Sequence, residues 1–415
     1  MGWWLPSIIL ATLFLNFPFW LNFERDLPLS GPPVAYFGLL GGIALILVFL
    51  FYLGPALAAQ SSQRSMFHIA QFSFGTILAL GFRLCCSLYL LIWLTFSVQT
   101  ICLLLVQWPY HRGPTTLESA LVATAITLFL FATALQGMQT SAKLAWFTNK
   151  LSLALLIAAL IRVREGLPSA WEALTHPPGF MESTDWRSIP FILFYFAPLA
   201  LFSSDFGYRT RTRKDATLIG LVGLALAFAF SLFAAALMAQ AALGLRASFS
   251  NDRTMATALF QGLSRRYFPP RMMVTAITMF GSARFGIRAL ANSVPFEGRT
   301  TRVILGVLAC SIVIFTVATP DSLYAAHEIL TRCLVAATAV FSADFIAGTW
   351  RLESPKKIDW IGATALFAGL AITLLVPTDL ESWWFPWLLP SYAASFVTCL
   401  VLRIARSLFA NRQLQ

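Results

Sequence analysis

Two stretches, Leu15-Asn16-Phe17-Pro18-Phe19-Trp20 and Phe194-Tyr195-Phe196-Ala197-Pro198-Leu199, each set a proline inside a long apolar run. Proline deletes an i→i−4 hydrogen bond, and its ring meets the preceding turn. In water the freed carbonyl is simply solvated. Inside a bilayer it must find a protein, water or ligand partner. The composition around the prolines decides which case applies. Hydrophobic residues make up 58% of the 415 residues and charged residues 11%. Soluble domains carry about 45–50% apolar and about 25% charged residues. So few charges cannot cover a water-facing surface on a chain this long. A soluble enzyme, a nucleic-acid-binding domain and a disordered protein are excluded. An all-α integral membrane protein remains.

A membrane-spanning helix needs about 20 apolar residues. Twelve segments qualify, near 5–23, 35–58, 76–107, 117–138, 144–163, 188–206, 216–244, 270–292, 303–318, 325–347, 359–377 and 385–405. We number them spans 1 to 12. No ten-residue alternating strands appear, which argues against a β-barrel. The prolines fall in spans 1 and 6, which correspond if the repeat unit is five helices. Transporters built from inverted repeats place broken helices at such positions, beside the binding site. Two ordinary proline kinks are the simpler alternative. The stretches outside the spans, near 164–187 and 245–269, are too short for a soluble core.

The net charge is +11. With both termini in the cytoplasm, the cytoplasmic loops and tail hold Arg64, Arg209, Arg211, Arg213, Arg299, Arg351, Arg403, Arg406 and all five lysines. The opposite side holds Arg162, Arg164, Arg187, Arg253 and Arg265 with most of the acids, including Glu165, Glu172, Glu182, Asp185, Asp379 and Glu381. That bias is the positive-inside pattern. The excess therefore reads as orientation in a plasma (inner) membrane, and nucleic acid is not expected as a partner. Met1-Gly2-Trp3-Trp4-Leu5-Pro6 has no basic n-region or cleavage site, so no signal peptide is expected. The six cysteines have no metal spacing and predict no disulfide framework.

Few residues inside the spans could carry chemistry. Trp93 lies mid-span 3, and Phe196 lies two residues before the span 6 proline. Two aromatic faces can hold a planar ligand, although an aromatic in so aromatic a chain is more often packing. Arg284 and Arg288 in span 8 are one turn apart, and Glu328, Arg332 and Asp344 lie in span 10. Ionisable groups at such depth are expensive and mark functional sites by default. Arg288 is near a span end, where it can snorkel. Asp205-Phe206-Gly207-Tyr208-Arg209-Thr210-Arg211 closes span 6 as a basic loop. The four histidines read as scattered through loops and a helix end. No acid–base, metal or nucleotide-binding set stands out, so neither an enzyme nor a cofactor is expected.

Four short stretches give a family resemblance. Ala70-Gln71-Phe72-Ser73-Phe74-Gly75, Ser204-Asp205-Phe206 with Lys214-Asp215-Ala216, Ser342-Ala343-Asp344-Phe345 and Asp359-Trp360-Ile361-Gly362-Ala363 resemble, in order and spacing, motifs of the nucleobase–cation symporter family. Cytosine permeases and allantoin and hydantoin transporters belong to it. The resemblance implies the leucine-transporter fold. Residues 1–165 (spans 1–5) and 186–348 (spans 6–10) would be inverted repeats, and 358–415 two further helices and a tail. It also implies that Trp93 and Phe196 are the two stacking positions for a planar substrate. Asn16, Trp20, Ser97, Gly281 and Ser282 would line the rest.

The departures narrow the substrate. The span 3 glutamine of cytosine permeases is Leu90 here, and their polar span 8 cluster reads Met279-Phe280-Gly281-Ser282-Ala283. Thr278 and Ser282, four apart on one face, could replace lost hydroxyls, and Arg284 could supply the charge of a sodium ion. The coupling ion is left as sodium or proton. The expected function is alternating-access transport of a nucleobase-like heterocycle across the bilayer. An amino-acid or polyamine carrier on the same fold, and a membrane sensor or interaction protein without transport, are the alternatives.

Overall fold

The computed structural model describes residues 2–15, 34–110, 116–134, 138–162, 164–175, 196, 198–244, 268–294, 298–316, 320–348, 356–375 and 388–412. Structural statements concern these residues. The helices are α1 (Trp4–Phe14), α2 (Val34–Leu47), α3 (Gly54–Ser62), α4 (Met66–Tyr110), α5 (Thr116–Ala134), α6 (Met138–Arg162) and α7 (Leu167–Thr175). They continue as α8 (Arg213–Leu218), α9 (Ala227–Gly244), α10 (Phe268–Ser293), α11 (Arg299–Thr316), α12 (Pro320–Ala347), α13 (Trp360–Leu375) and α14 (Leu388–Arg412). A helix falls on each of the twelve expected spans. Span 6 is seen from Phe196, with 198–203 helical and Ser204–Arg209 tightening to a 3₁₀ turn. The short α7 has no counterpart among the expected spans.

Five stretches are long and apolar enough to cross a bilayer: Gly41–Ser62, Met66–Val98, Arg213–Ala234, Ala326–Ala347 and Leu389–Phe409. Large apolar side chains face outward along the helices, among them Phe49, Leu117, Trp360 and Leu374. A surface so apolar suits lipid rather than water. Span 1 stops as a helix at Phe14, where Leu15 turns to ψ 24°. That is the place an upcoming proline would end it. Asn16, Pro18 and Trp20 lie outside the described residues.

The helices pack in two groups. In the first, α3 lies on Ser204–Arg209 and α1 on a π-helical turn, Ile219–Leu226, between α8 and α9. A second π turn, Val48–Leu53, joins α2 to α3. The two π turns fall in spans 2 and 7, which correspond in a five-helix repeat. They also meet: the Tyr52 hydroxyl donates to Ala216 O at 2.7 Å, and a Cβ at Gly220 would come within 2.6 Å of the Tyr52 ring. In the second group, α4 packs along α10 and α5 along α11. The first group thus holds spans 1, 2, 6 and 7, and the second spans 3, 4, 8 and 9. Each takes two spans from each expected repeat.

The last helices are tied to span 3 through a break in it. Gly75 interrupts α4 with φ 80°, a left-handed conformation that glycine adopts without strain. A Cβ there would lie 2.6 Å from Ile358 Cα. The backbone groups freed by the break are taken up by the chain entering α13. Thr76 N–H donates to Lys356 O (2.9 Å), Ile77 N–H to Lys357 O (3.1 Å), and Asp359 N–H to Phe74 O (3.0 Å).

Buried charge completes this junction. Arg403 of α14 donates from Nε to Asp344 Oδ1 at 2.7 Å and from Nη2 to Asp344 Oδ2 at 3.3 Å. It also pairs with Asp359, and its Nη2 reaches Ser73 O at 3.5 Å. All three charged side chains are buried. Arg403 is therefore not the exposed tail charge that its position near the C-terminus indicated. Asp344, a default candidate for function inside span 10, is held in this cluster. None of the six cysteines is in a disulfide, and Cys399 donates its thiol to Asp344 at 3.5 Å.

Removing one partner from a buried ion pair costs about 3–5 kcal/mol, because the other charges are left uncompensated. Arg403→Gln is therefore expected to lower the unfolding temperature of the detergent-solubilised protein by far more than Arg406→Gln, at the exposed position three residues on. Equal shifts for the two variants would show that the cluster does not hold the fold.

Candidate functional site

Trp93 stands about five helical turns above Gly75 on α4. It is 2% exposed, and its ring lies against α10 at Gly286. A Cβ on Gly286 would sit 2.6 Å from the Trp93 ring atom Cζ3, so only glycine leaves room for the indole in this place. Phe285 meets the indole edge-on, with centroids 6.5 Å apart and planes at 87°. Ser97 is buried one turn further, and its hydroxyl donates to Trp93 O at 3.0 Å, a bond within its own helix.

Phe196 is fully buried on the other helix group. Its ring packs 4.9 Å from Phe228 of α9, and Pro198 is buried just behind it. The two expected stacking residues thus belong to opposite groups. A molecule clamped between them would bridge the seam.

The expected span 8 residues separate. Gly281 lets α10 approach α1 closely, since a Cβ there would lie 2.7 Å from Thr12 Cβ. Thr278 and Ser282 lie within α10, with side chains outside the described residues. Arg284 turns toward spans 4 and 5: Nη2 donates to Thr133 O (2.8 Å) and reaches Ser141 Oγ (3.5 Å). Thr133 is in the last turn of α5, where a cation is favoured by the exposed carbonyls. Glu328 pairs with Arg332 on its own helix.

Several site features were not singled out from the sequence. Asn149 of span 5 donates its amide to Ile8 O of span 1 at 2.9 Å. His327, read as a helix-end residue of span 10, is buried within α12, 4.5 Å from the Tyr89 ring and 6.0 Å from Phe96. The helical run from Tyr110 back to Met66 places Tyr89, Trp93 and Phe96 on one face, and that pattern was the available signal for a neighbour of Trp93.

A pocket opens next to Trp93. Phe67, Phe202, Phe206 and Phe285 wall it, and Asp205, Arg209, Arg288 and Asn292 supply its polar lining. In this conformation it is a narrow cleft, with about 20 Å³ of room for water, and it opens to solvent. Asp205 crosses the seam here. Its Oδ1 accepts the N–H of Met66, the first residue of α4, and its Oδ2 accepts from Asn292 Nδ2, both at 3.1 Å. A carboxylate at a helix N-terminus satisfies an otherwise unpaired N–H and the helix dipole together.

The broken spans, the two groups and the paired π turns define the fold of leucine-transporter-like membrane transporters, and the chain is a multi-pass membrane protein. Mhp1, a nucleobase-cation-symport-1 family transporter, in a closed conformation with bromovinylhydantoin bound, superposes with a TM-score of 0.69 at 12% identity, over 99% of this chain and 92% of that one. The inward-facing conformation of Mhp1 gives 0.65 at 14% identity, over 99% and 91%. A Na⁺-coupled sialic acid symporter in a substrate-bound outward-open state gives 0.68 at 12% identity, over 98% and 90%. No family model matches the chain, and no curated protein does.

The glycine under Trp93 can be tested without touching the tryptophan. Gly286→Ala is expected to displace the indole, changing its fluorescence, weakening ligand binding and lowering the unfolding temperature modestly through overpacking. Wild-type fluorescence and affinity together would show that the contact does not position the ring.

Proposed function

We propose that this protein is a secondary active transporter for a small planar heterocycle of nucleobase type, working by alternating access. The observation that carries the reading is the placement of Trp93 and Phe196 on opposite helix groups of a transporter fold. A ring held by both would couple its own binding to the relative position of the groups, which is what alternating access requires. The resemblance of the quoted motifs, and Mhp1 with its bound hydantoin, support a planar ring. Cytosine itself fits poorly, because Leu90 and Gly281 stand where polar partners are needed. A site deprived of hydrogen-bond partners discriminates strongly against the ligand that needs them.

For coupling, Arg284 is the proposed fixed positive charge, with transport independent of sodium. Its bonds to Thr133 and Ser141 would anchor it between spans 4, 5 and 8. We place the arginine-rich end, with both termini, in the cytoplasm of a plasma membrane on the charge bias of the loops.

Stacking of one base on an aromatic residue contributes about 1–3 kcal/mol. Trp93→Ala is expected to weaken heterocycle binding at least about fivefold, measured by calorimetry on the purified protein. Wild-type affinity in that variant would end the stacking role. Uptake into proteoliposomes should persist when sodium is replaced by an inert cation. Sodium-dependent uptake that survives Arg284→Ala would remove the coupling proposal.

A further inference from the structure

The pocket beside Trp93 carries more positive charge than a neutral ring needs. Arg209 and Arg288 bring two guanidiniums to its lining, against one carboxylate, Asp205. Both Asp205 oxygens are already bonded, to Met66 N–H and Asn292 Nδ2. Among the described residues neither arginine is in an ion pair. Their described hydrogen bonds go to neutral hydroxyls: Arg209 Nε to Tyr208 Oη at 2.7 Å, and Arg288 Nη1 to Ser141 Oγ at 2.9 Å. Hydroxyls orient a guanidinium but do not neutralise it. The lining is left with an excess of one positive charge in an otherwise apolar bundle.

The walls are aromatic. Phe206 and Phe285 lie nearly parallel, with centroids 6.2 Å apart and planes at 17°. Phe285 also meets Trp93, so the pocket is one aromatic layer from the stacking tryptophan. A guanidinium fork matches the two oxygens of a carboxylate, and such charge-assisted bonds are about twice as strong as neutral ones.

We propose that this pocket is a station for the carboxylate of the substrate, so that the transported class is planar ring monocarboxylates. The proposal rests on the transport reading above and narrows it. The ring lies along Phe206 and Phe285, and the carboxylate takes Arg209 and Arg288. Asp205 disfavours a second negative charge, which selects monoanions over dianions.

The test is calorimetry on the purified full-length chain with two pyrimidines, orotate, which carries a ring carboxylate, and uracil, which does not. Orotate should bind more tightly, lose at least about tenfold in affinity in Arg209→Gln and in Arg288→Gln, and weaken as salt rises. Uracil, which lacks the carboxylate, should lose much less affinity than orotate in both variants. If either variant fails to fold, benzoate should displace orotate from the wild-type protein and benzamide should not. Orotate affinity unchanged in both variants, or equal displacement by benzoate and benzamide, overturns the proposal. Uracil binding that depends on Trp93 without any orotate binding overturns it while leaving the transport reading intact. Binding of neither ring overturns both.

Discussion

A helix broken inside a bilayer exposes N–H and C=O groups that lipid cannot satisfy. In this chain the constraint is met most completely at Gly75. The break in span 3 is closed by the backbone of 356–359, and the charge cluster of Arg403, Asp344 and Asp359 is buried around it. Span 3 is thereby fixed at its base to spans 10, 11 and 12. Trp93 is carried on the same helix above that base. The position of the indole therefore depends on a junction far from any ligand.

The same constraint explains why the two helix groups meet as they do. Asp205, at the end of span 6, satisfies the N-terminus of span 3 and the Asn292 amide of span 8. These bonds are polar, few and open to a pocket. The contacts within each group are apolar and close, as where Gly207 lies against Ala56 or Gly286 against Trp93. The seam also carries close contacts, as where Gly281 meets Thr12 and Phe206 stacks on Phe285, so parting the groups means separating these surfaces as well as breaking the Asp205 bonds.

Much of the fold was legible in the sequence, because apolar length alone locates a membrane helix. The prolines and the motifs added the order of the breaks. The physical meaning of the motifs was not legible. Phe72-Ser73-Phe74-Gly75, Ala343-Asp344-Phe345 and Asp359-Trp360 pointed to a family of carriers, yet they converge on the Arg403 junction rather than on the ligand site. Their partners lie 44 to 330 residues away along the chain, and no local pattern announces such a pairing. Arg403 looked like a tail charge for the same reason. At the site, Trp93 could be picked from its place in span 3, but Gly286 and Phe285 beside it could not. Arg209 and Arg288 were indistinguishable from orientation charges until a pocket brought them together. His327 read as a helix-end residue of span 10, but the helix begins at Pro320, so the histidine lies two turns inside it and is buried.

The most direct measurement is the distance distribution between spin labels on the two helix groups at the arginine-rich end. Arg211→Cys marks the first group and Thr300→Cys the second, both at exposed positions. Alternating access predicts two populated distances whose ratio shifts when a planar ligand is added. A single distance that no ligand changes would contradict it.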